Sequence, residues 1–570
     1  MHDLVIRGGT IIDGTGSAAY TGDLAIDGQR IVAMGDNVGR GREEIDARGR
    51  LVTPGWVDIH THFDGQVMWD PMLSPSGQNG VSTVVMGHCG VGFAPVVPDD
   101  HELLINIMEG LEDIPAATLR AGLGWRWQSF PEYLDVLESL PRVLDFATQV
   151  PHSALRCYVM GERGRKKDPA TADDVNEMAR QVEEALRAGA LGFSTSRTKV
   201  HTTADGKHIP GSYATTDELL GIGRALGRAG HGVFQCVSDM DKPDYEFGWM
   251  TELSREQNVP VHFILSHFDR PKFSGLLKHI EEASTKGANI FGLVGGRAIG
   301  MLMTLDSDVH PFYRHPSYIE IAKLPLAERV RIMRDPAFKQ RILGETTTST
   351  HGYWKPRMEM FETMFRLGNP PDYEPAAEDS IAAQAARAGR TPQDVIYDML
   401  LENDGTEVVY NPLFSYAENS FKPLEDLFNH SNTLVSLADG GAHLGIMTDA
   451  AMPTFMLTHW VRDRTRGARI PLERAVMMQT SRTAAAYGLN DRGRLAVGYK
   501  ADVNVIDFEK LSLDTPYWVR DLPANGRRFM QNARGYDATI VSGIITTRYG
   551  ESMGVLPGKL VRGPQQAPAK

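Results

Sequence analysis

Two histidines, one residue apart, are the first feature of the sequence that could do chemistry. His60, Thr61 and His62 close a short apolar segment of the kind that forms a β-strand. Alternate residues of a strand share a face, so both imidazoles can point to one centre. Neutral imidazole is the commonest protein ligand for zinc. The spacing predicts a metal site, although this pair alone is a weak signal, since two polar residues leaving a strand look the same.

Further strand-like segments follow, and most of them also end in polar or reactive residues. The eight candidates are 57–62, 82–89, 155–161, 191–197, 232–236, 261–267, 290–296 and 434–440. Strands alternating with helices predict an α/β fold with a parallel sheet, and eight units fit a (β/α)8 TIM-like barrel whose chemistry lies at the C-terminal strand ends. Two stretches, 100–150 and 305–425, are interpreted as insertions. An apolar run at Val408–Tyr410 in the second insertion could change the strand count by one.

The two chain ends differ from this repeating pattern. Apolar triplets broken by Gly and Asp in the first 50 residues are typical of β-hairpins. The C-terminal end of the chain shows the same pattern of short apolar runs. We expect residues 1–52 and 491–562 to form one small β-sandwich domain. The barrel would take residues 53–490, and a disordered tail would take residues 563–570.

Composition and charge argue against several classes of protein. The chain has 570 residues, and its 59 basic and 72 acidic side chains give a net charge of −13, which disfavours a nucleic-acid partner. Its three cysteines form no disulfide framework. No apolar stretch reaches the ~18 residues of a membrane span, and the start has no signal-peptide pattern. We therefore expect a cytoplasmic protein, away from membranes, that acts on a small molecule and forms a homo-oligomer.

Longer motifs around the histidine pair resemble the amidohydrolase superfamily of metal-dependent hydrolases. PGWVDIHTHFD looks like the first-strand signature of that superfamily, and LVIRGGTIIDGTG and DRGRLAVGYKADVNVID near the chain ends are also similar to it. MGHCGVGFAP (86–95) and SRTAAAYGLNDRGRLAVGYKADV (481–503) resemble the D-aminoacylase, or N-acyl-D-amino-acid deacylase, family. The resemblance covers nearly the whole chain. It implies a hydrolase acting on carbon–nitrogen bonds other than peptide bonds.

The resemblance also implies a set of metal ligands. His60 and His62 match the first two histidine ligands, Cys89 matches a bridging thiolate, and His267 matches a later histidine ligand. Asp439 matches the aspartate that both binds metal and accepts a proton. The implied cofactor is Zn²⁺, with one ion firmly bound and a second left open. The firm ion would be held by His60, His62, Cys89 and Asp439, or by Cys89 with His267 and Asp439.

The sequence departs from the family pattern at the fifth strand. Gln235 stands where a histidine is expected, and an amide oxygen is a poorer zinc ligand than imidazole. The departure affects the second metal position, for which His231 or Cys236 are alternative ligands. Gln235 is also a candidate for binding substrate.

A second departure concerns the substrate. The resemblance implies a lysine and an arginine that bind a substrate carboxylate, but here Asp269 occupies the first region and no arginine closely follows Asp439. An acidic side chain would repel a carboxylate. The candidate replacements are Arg197, His201 and Arg297. Arg197 could equally be a structural ion-pair partner.

The sequence thus predicts hydrolysis of an amide bond by a metal-activated water. Asp439 would take the proton from the water and pass it to the leaving nitrogen. His267, where it is not a ligand, would stabilise the oxyanion. The alternatives are a related enzyme acting on a lactone, a cyclic amide or urea, an aryl amide or a C–C bond, and a metal-free binding protein.

Overall fold

Two parallel β-sheets form the centre of the chain in a computed structural model that describes residues 1–266, 270–347 and 357–569. Strands are numbered in chain order. One sheet contains β6 (Trp56–Asp58), β7 (Val81–Met86) and β8 (Asp145–Thr148). The other contains β9 (Val150–Pro151), β10 (Gly192–Arg197), β11 (Val233–Ser238), β12 (Val261–Ile264), β13 (Ile290–Val294) and β17 (Thr433–Val435). Their spatial orders are β6-β7-β8 and β17-β13-β12-β11-β10-β9.

Seven of the eight predicted strands coincide with strands of these sheets, and the third does not. The predicted strand 155–161 is wrong, because it lies in a helix, His152–Met160. The third parallel segment is instead 145–151, which pairs with β7 through β8 and with β10 through β9. A short buried apolar run does not distinguish a strand from a buried helix, and 155–161 is such a run.

The stretch 145–151 therefore belongs to both sheets. Within the described residues, no strand pairing joins β17 to β6, so a closed barrel stays a prediction. The run at 408–410 does not add to the parallel strands. It leads into β16 (Val409–Phe414), which pairs antiparallel with β14 (Ile299–Met303) and β15 (Phe365–Arg366).

Helices lie between the parallel strands and in the insertions. They are α1 (His101–Glu112), α2 (Ala116–Gly122), α3 (Phe130–Glu138), α4 (His152–Met160), α5 (Glu162–Arg165), α6 (Ala172–Ala188), α7 (Thr216–Ala229), α8 (Pro243–Gln257), α9 (Arg270–Thr285), α10 (Pro316–Ile321), α11 (Leu326–Met333), α12 (Pro336–Leu343), α13 (Ile381–Ala388), α14 (Pro392–Leu401), α15 (Lys422–Asn429), α16 (Met452–Phe455), α17 (Leu472–Gln479) and α18 (Ser481–Ala486). A π-helical segment, Met456–Asp463, follows α16. No helix among the described residues is long and apolar enough to cross a membrane.

A nine-stranded sheet combines strands from both ends of the chain. Its members are β1 (His2–Ile11), β2 (Tyr20–Asp27), β3 (Arg30–Gly35), β4 (Gly41–Asp46), β5 (Leu51–Pro54), β18 (Val503–Ile506), β23 (Tyr536–Val541), β24 (Ile544–Arg548) and β25 (Glu551–Ser552). The order is β25-β24-β23-β18-β5-β1-β2-β3, with β4 beside β1. β5 and β18 are neighbours, so the two ends meet in the middle of the sheet.

Two hairpin-like pairs complete the strands near the C-terminus. β19 (Ser512–Leu513) pairs with β22 (Ala533–Arg534), and β20 (Tyr517–Leu522) pairs with β21 (Gly526–Met530). The predicted disorder of 563–570 is wrong for the described residues 563–569. Gly563 and Gln565 donate backbone hydrogen bonds to Gly189 and Gly488, which hold this segment against the centre of the molecule.

Candidate metal centre

The segment after β6 positions His60 and His62 in the interior. His60 N–H donates to the Asp58 carboxylate at 3.2 Å, and His62 N–H donates to the Gly440 carbonyl at 2.8 Å. Thr61 N–H donates to the carbonyl of Val85 on β7 at 3.0 Å. These bonds fix the backbone on both sides of the pair, and both imidazoles are buried.

A tight turn after β7 presents Cys89. Gly87 has a φ of 80°, and a Cβ there would lie 2.4 Å from the Gln149 carbonyl oxygen, so only glycine fits. Cys89 itself has a φ of 55°, and its N–H donates to Gln235 Oε1 at 3.0 Å. The turn places Cys89 Sγ 3.7 Å from His60 Nε2.

Asp439 faces the same centre from the segment after β17. Its N–H donates to the His60 carbonyl at 3.2 Å, and its Oδ1 lies 3.4 Å from His60 Nε2 and 3.8 Å from His62 Nε2. This oxygen is buried and has no hydrogen-bond partner. A buried, unpartnered carboxylate oxygen is costly unless a proton or a cation satisfies it.

The donor set fits a divalent metal. One ligand atom from each of His60, His62 and Cys89 can be chosen so that all three lie within 4.8 Å of one another. Two imidazoles, a thiolate and a carboxylate oxygen are the ligands that zinc prefers.

Burial favours the neutral imidazoles that bind a metal, but it opposes the charged thiolate and carboxylate. It lowers the pKa of His60 and His62 well below the ordinary value. Burial raises the pKa of the Cys89 thiol, and the carboxylates of Glu112 and Asp439 raise it further. Burial also raises the pKa of Asp439. A bound cation would reverse this balance for the thiol and the carboxylate, so their deprotonation is coupled to metal binding.

Glu112, the last residue of α1, is a site residue that sequence reasoning missed. Its Oε1 lies 3.3 Å from His62 Nδ1, and its Oε2 lies 3.6 Å from His443 Nε2. The carboxylate is buried, and burial raises its pKa. Among the described residues, neither His62 Nδ1 nor the Glu112 oxygens have a hydrogen-bond partner, so the carboxylate acts on the ring through its charge and proximity. Nothing in the residue types around Glu112 distinguishes it from other acidic residues at the end of a helix.

His88, the residue before Cys89, packs against the centre. Its ring stacks on His60 with centroids 4.1 Å apart, and its Nδ1 lies 3.1 Å from Gln149 Nε2.

Gln235 lies beside the centre through its bond to Cys89 N–H, and its Nε2 is buried without a partner. Cys236 follows it on the strand and points to the opposite face. His231 precedes β11, at the end of the strand away from the centre. Neither alternative ligand is therefore placed to replace Gln235.

Protein carboxylates already pair with the two arginines predicted to bind substrate. Arg197 Nε lies 2.9 Å from Glu246 Oε2, and Arg197 Nη2 lies 3.0 Å from Glu246 Oε1. Arg297 is buried, lies 3.2 Å from Asp449 and stacks over the Tyr373 ring at 3.6 Å. The structure thus gives both side chains ion-pair partners, and their substrate-binding role stays a prediction.

The remaining predicted residues are His201 and His267. His201 Nδ1 lies 2.9 Å from Ser196 Oγ, at the end of β10. The His201 ring is close enough to His60 and His62 to affect their pKa values. His267 lies outside the described residues, so its role stays a prediction.

Comparison with known proteins identifies the family of this chain. The signature described as "Amidohydrolase family" matches residues 43–546. The chain belongs to the amidohydrolase family. It is 28% identical over 517 residues to the D-aminoacylase of Alcaligenes xylosoxydans xylosoxydans, covering 89% of this chain and 88% of that one. It is 29% identical to the N-acyl-D-aspartate deacylase of the same organism, covering 89% and 86% of the two chains. The predicted resemblance to the D-aminoacylase family is confirmed.

Solved structures show the same fold. A D-aminoacylase crystal structure matches this amidohydrolase with a TM-score of 0.64 and 22% identity, covering 99% of this chain and all of that one. An N-acyl-D-glutamate deacylase from Bordetella bronchiseptica, complexed with zinc and a phosphonate inhibitor, matches with a TM-score of 0.63, 21% identity and the same coverage.

The chain is a metal-dependent hydrolase of carbon–nitrogen bonds other than peptide bonds, as the sequence predicted.

Proposed function

We propose that this amidohydrolase is a zinc enzyme that removes the acyl group from N-acylated amino acids. The observation that carries the proposal is the convergence of His60, His62 and Cys89 on one centre, with the unpartnered carboxylate oxygen of Asp439 beside them. The names of the relatives, a D-aminoacylase and two acidic N-acyl-D-amino-acid deacylases, support the substrate class.

Each residue has a separate task in the proposed mechanism. When bound, zinc supplies a water of lowered pKa and an electrophile for the scissile carbonyl. His60, His62 and Cys89 hold the ion, and Glu112 orients His62. Asp439 Oδ1 takes the proton from the attacking water and delivers it to the leaving nitrogen. His267 binds metal or stabilises the oxyanion.

The proposal extends to the fold and the metal count. The parallel strands β6 to β13 and β17, with the helices between them, support a (β/α)8 barrel over residues 53–490. The nine-stranded sheet supports a β-sandwich domain made of 1–52 and 491–562. We propose one firmly bound zinc, because Gln235 occupies an expected ligand position of the second. A homo-oligomeric state and a cytoplasmic location remain predictions.

A second candidate function follows from the arginine pairs. Both arginines predicted to bind substrate are ion-paired, Arg197 with Glu246 and Arg297 with Asp449. This arrangement favours, as the second candidate, a substrate without a free carboxylate, such as a cyclic amide or urea.

A substrate panel tests the proposal. The zinc-loaded enzyme is given N-acetyl-D- and N-acetyl-L-amino acids, cyclic ureas and lactones, and product release is measured. We expect deacylation by the wild type and a loss of about 100-fold or more in kcat for Asp439→Asn, because the proton acceptor is removed. Asp463→Asn is the control, since Asp463 is exposed and pairs with its neighbour Arg462. Hydrolysis of cyclic ureas but of no N-acyl amino acid would overturn the proposal in favour of the second candidate.

A further inference from the structure

Two side chains of the neighbouring sheet hold the turn formed by residues 87–90, which carries Cys89. Ser194 Oγ, on β10, accepts the N–H of Gly90 at 3.0 Å and donates to the carbonyl of Gly87 at 2.6 Å. Gln235 Oε1, on β11, accepts the N–H of Cys89 at 3.0 Å. The hydroxyl therefore bridges the first and last residues of the turn, and the amide bonds the residue that carries the thiol.

The pairing of β10 with β11 brings these two side chains together. Ser194 and Gln235 are direct partners in the parallel register, so both project from the same face of the sheet. Both are fully buried. A serine hydroxyl can donate one hydrogen bond and accept another at the same time, and Ser194 does both. The residue types therefore match the backbone groups that the turn presents.

The turn has a conformation that needs such support. Cys89 has a φ of 55°, which residues other than glycine rarely adopt and which persists only where the surroundings hold it. Gly90 has a φ of 72°, and a Cβ there would lie 2.9 Å from Thr195 Cα and from Ser196 N, so the turn packs directly on the backbone of β10. A return of Cys89 to negative φ would move Sγ from its place 3.7 Å from His60 Nε2.

We propose that Ser194 and Gln235 are positioning residues for the Cys89 thiolate. They hold the turn in its metal-binding geometry, Ser194 at the two ends and Gln235 at the Cys89 N–H. Gln235 thereby has a task at this centre other than that of a metal ligand. The inference rests on the proposed zinc centre and adds to it the side chains that preorganise its sulfur ligand.

Replacing zinc by Co²⁺ makes the sulfur ligand visible, because a thiolate bound to Co²⁺ gives a charge-transfer absorption band. The wild type should show this band, and Cys89→Ala should lack it. Ser194→Ala and Gln235→Leu should each weaken the band and lower the affinity for Co²⁺ and for zinc by about 10- to 100-fold, because the turn no longer holds the sulfur in place. Affinities are measured by competition with a chelator.

Ser254→Ala is the matched control. Ser254, on α8, is also buried, and its hydroxyl also accepts a backbone N–H, that of Asn289 at 2.7 Å, next to the start of β13 and away from the metal centre. This variant loses a comparable hydrogen bond, but its absorption band and metal affinity should equal those of the wild type.

The outcomes separate this inference from the proposed function. Wild-type band intensity and metal affinity in both Ser194→Ala and Gln235→Leu would overturn the positioning role and leave the thiolate centre standing. An equal loss in Ser254→Ala would also overturn it, because the effect would then follow from any lost buried hydrogen bond. A wild type that binds Co²⁺ without the band would contradict the thiolate centre itself, and the positioning role with it.

Discussion

At the scale of single residues, the candidate centre consists of buried groups, two of which become charged only when a cation is bound. His60, His62, Cys89 and Asp439 all lie where burial favours their neutral forms. A divalent cation offsets that cost for the thiolate and the carboxylate. Glu112 adds a negative charge behind His62, so it should strengthen the hold of His62 on the ion.

Replacing this carboxylate tests its contribution. Glu112→Gln should weaken zinc affinity by about 10- to 100-fold, because the amide holds the His62 ring less firmly and carries no charge. The affinity is measured by competition with a chelator. Glu102→Gln is the control on the same helix, where the side chain is exposed and paired with Arg120. Equal zinc affinities of the wild type and Glu112→Gln would show that Glu112 does not support the metal site.

The residues of the centre differ in how visible they are in the sequence. His60 and His62 are recognisable from their spacing, and Cys89 and Asp439 from the motifs around them. Glu112 is not, because its contact with His62 depends on how the insertion that carries α1 folds back over the centre. The ion pairs of Arg197 and Arg297 were equally invisible, since their partners are 49 and 152 residues away.

At the scale of elements, the sequence predicted the strands that lead to the metal ligands better than the helix that packs beside them. The strands before His60 and Cys89 coincide with predicted segments, whereas 155–161 is part of α4. That helix carries His152 and Arg156, which pair with Glu218 of α7 at 2.9 and 2.8 Å. His152 Nδ1 also lies 2.8 Å from Thr195 Oγ1 of β10. The network ties α4, α7 and β10 together beside the turn of Cys89.

This network predicts a pH-dependent contribution to stability. Burial alone would raise the pKa of Glu218, but the hydrogen bonds and charges of His152 and Arg156 outweigh it and lower the pKa from 4.5 to about 2. Because the folded-state pKa is depressed, the contribution is fully present above pH ~4.5 and is lost as the pH falls toward ~2. Glu218→Gln should therefore cost about 3 kcal/mol at neutral pH, where it leaves Arg156 without its carboxylate.

Thermal melts of the wild type and Glu218→Gln across a pH series measure this effect. The difference in Tm should be largest above pH ~4.5 and should shrink at lower pH. Asp217→Asn, at the exposed neighbouring carboxylate, should leave Tm nearly unchanged. A difference between wild type and Glu218→Gln that stays constant from neutral pH to pH ~3 would contradict the assigned ion pair.

At the scale of the whole molecule, contacts distant in sequence join the chain ends to the central sheets. β5 and β18 pair within the nine-stranded sheet, although about 450 residues separate them. Buried Arg492 lies 2.7 Å from Asp145 of β8 and donates to Thr83 of β7 at 3.0 Å. The short apolar runs broken by Gly and Asp at both chain ends indicated β structure. No local pattern could predict the Arg492–Asp145 pair, because its members are 347 residues apart.

Removing this buried cation should destabilise the whole fold. Arg492→Leu should cost about 3 kcal/mol in the free energy of unfolding, because the buried Asp145 carboxylate loses one of its two cationic partners and keeps Lys500, at 3.2 Å, and the backbone N–H of Lys559, at 2.9 Å. Denaturant unfolding measures the loss. Arg494→Leu, at an exposed position two residues away, should change the stability by less than about 0.5 kcal/mol. Equal losses in the two variants would show that the Arg492–Asp145 pair does not join the segments.

The most direct test of the account is the metal content of the protein. Elemental analysis of the wild type, purified without added metal, should give about one zinc per chain. The Cys89→Ala variant should lose that zinc, whereas Cys157→Ala, at a buried cysteine on α4, should keep it. No zinc in the wild type even after zinc is supplied, or full zinc content in Cys89→Ala, would contradict a thiolate-bound metal centre as the basis of the activity.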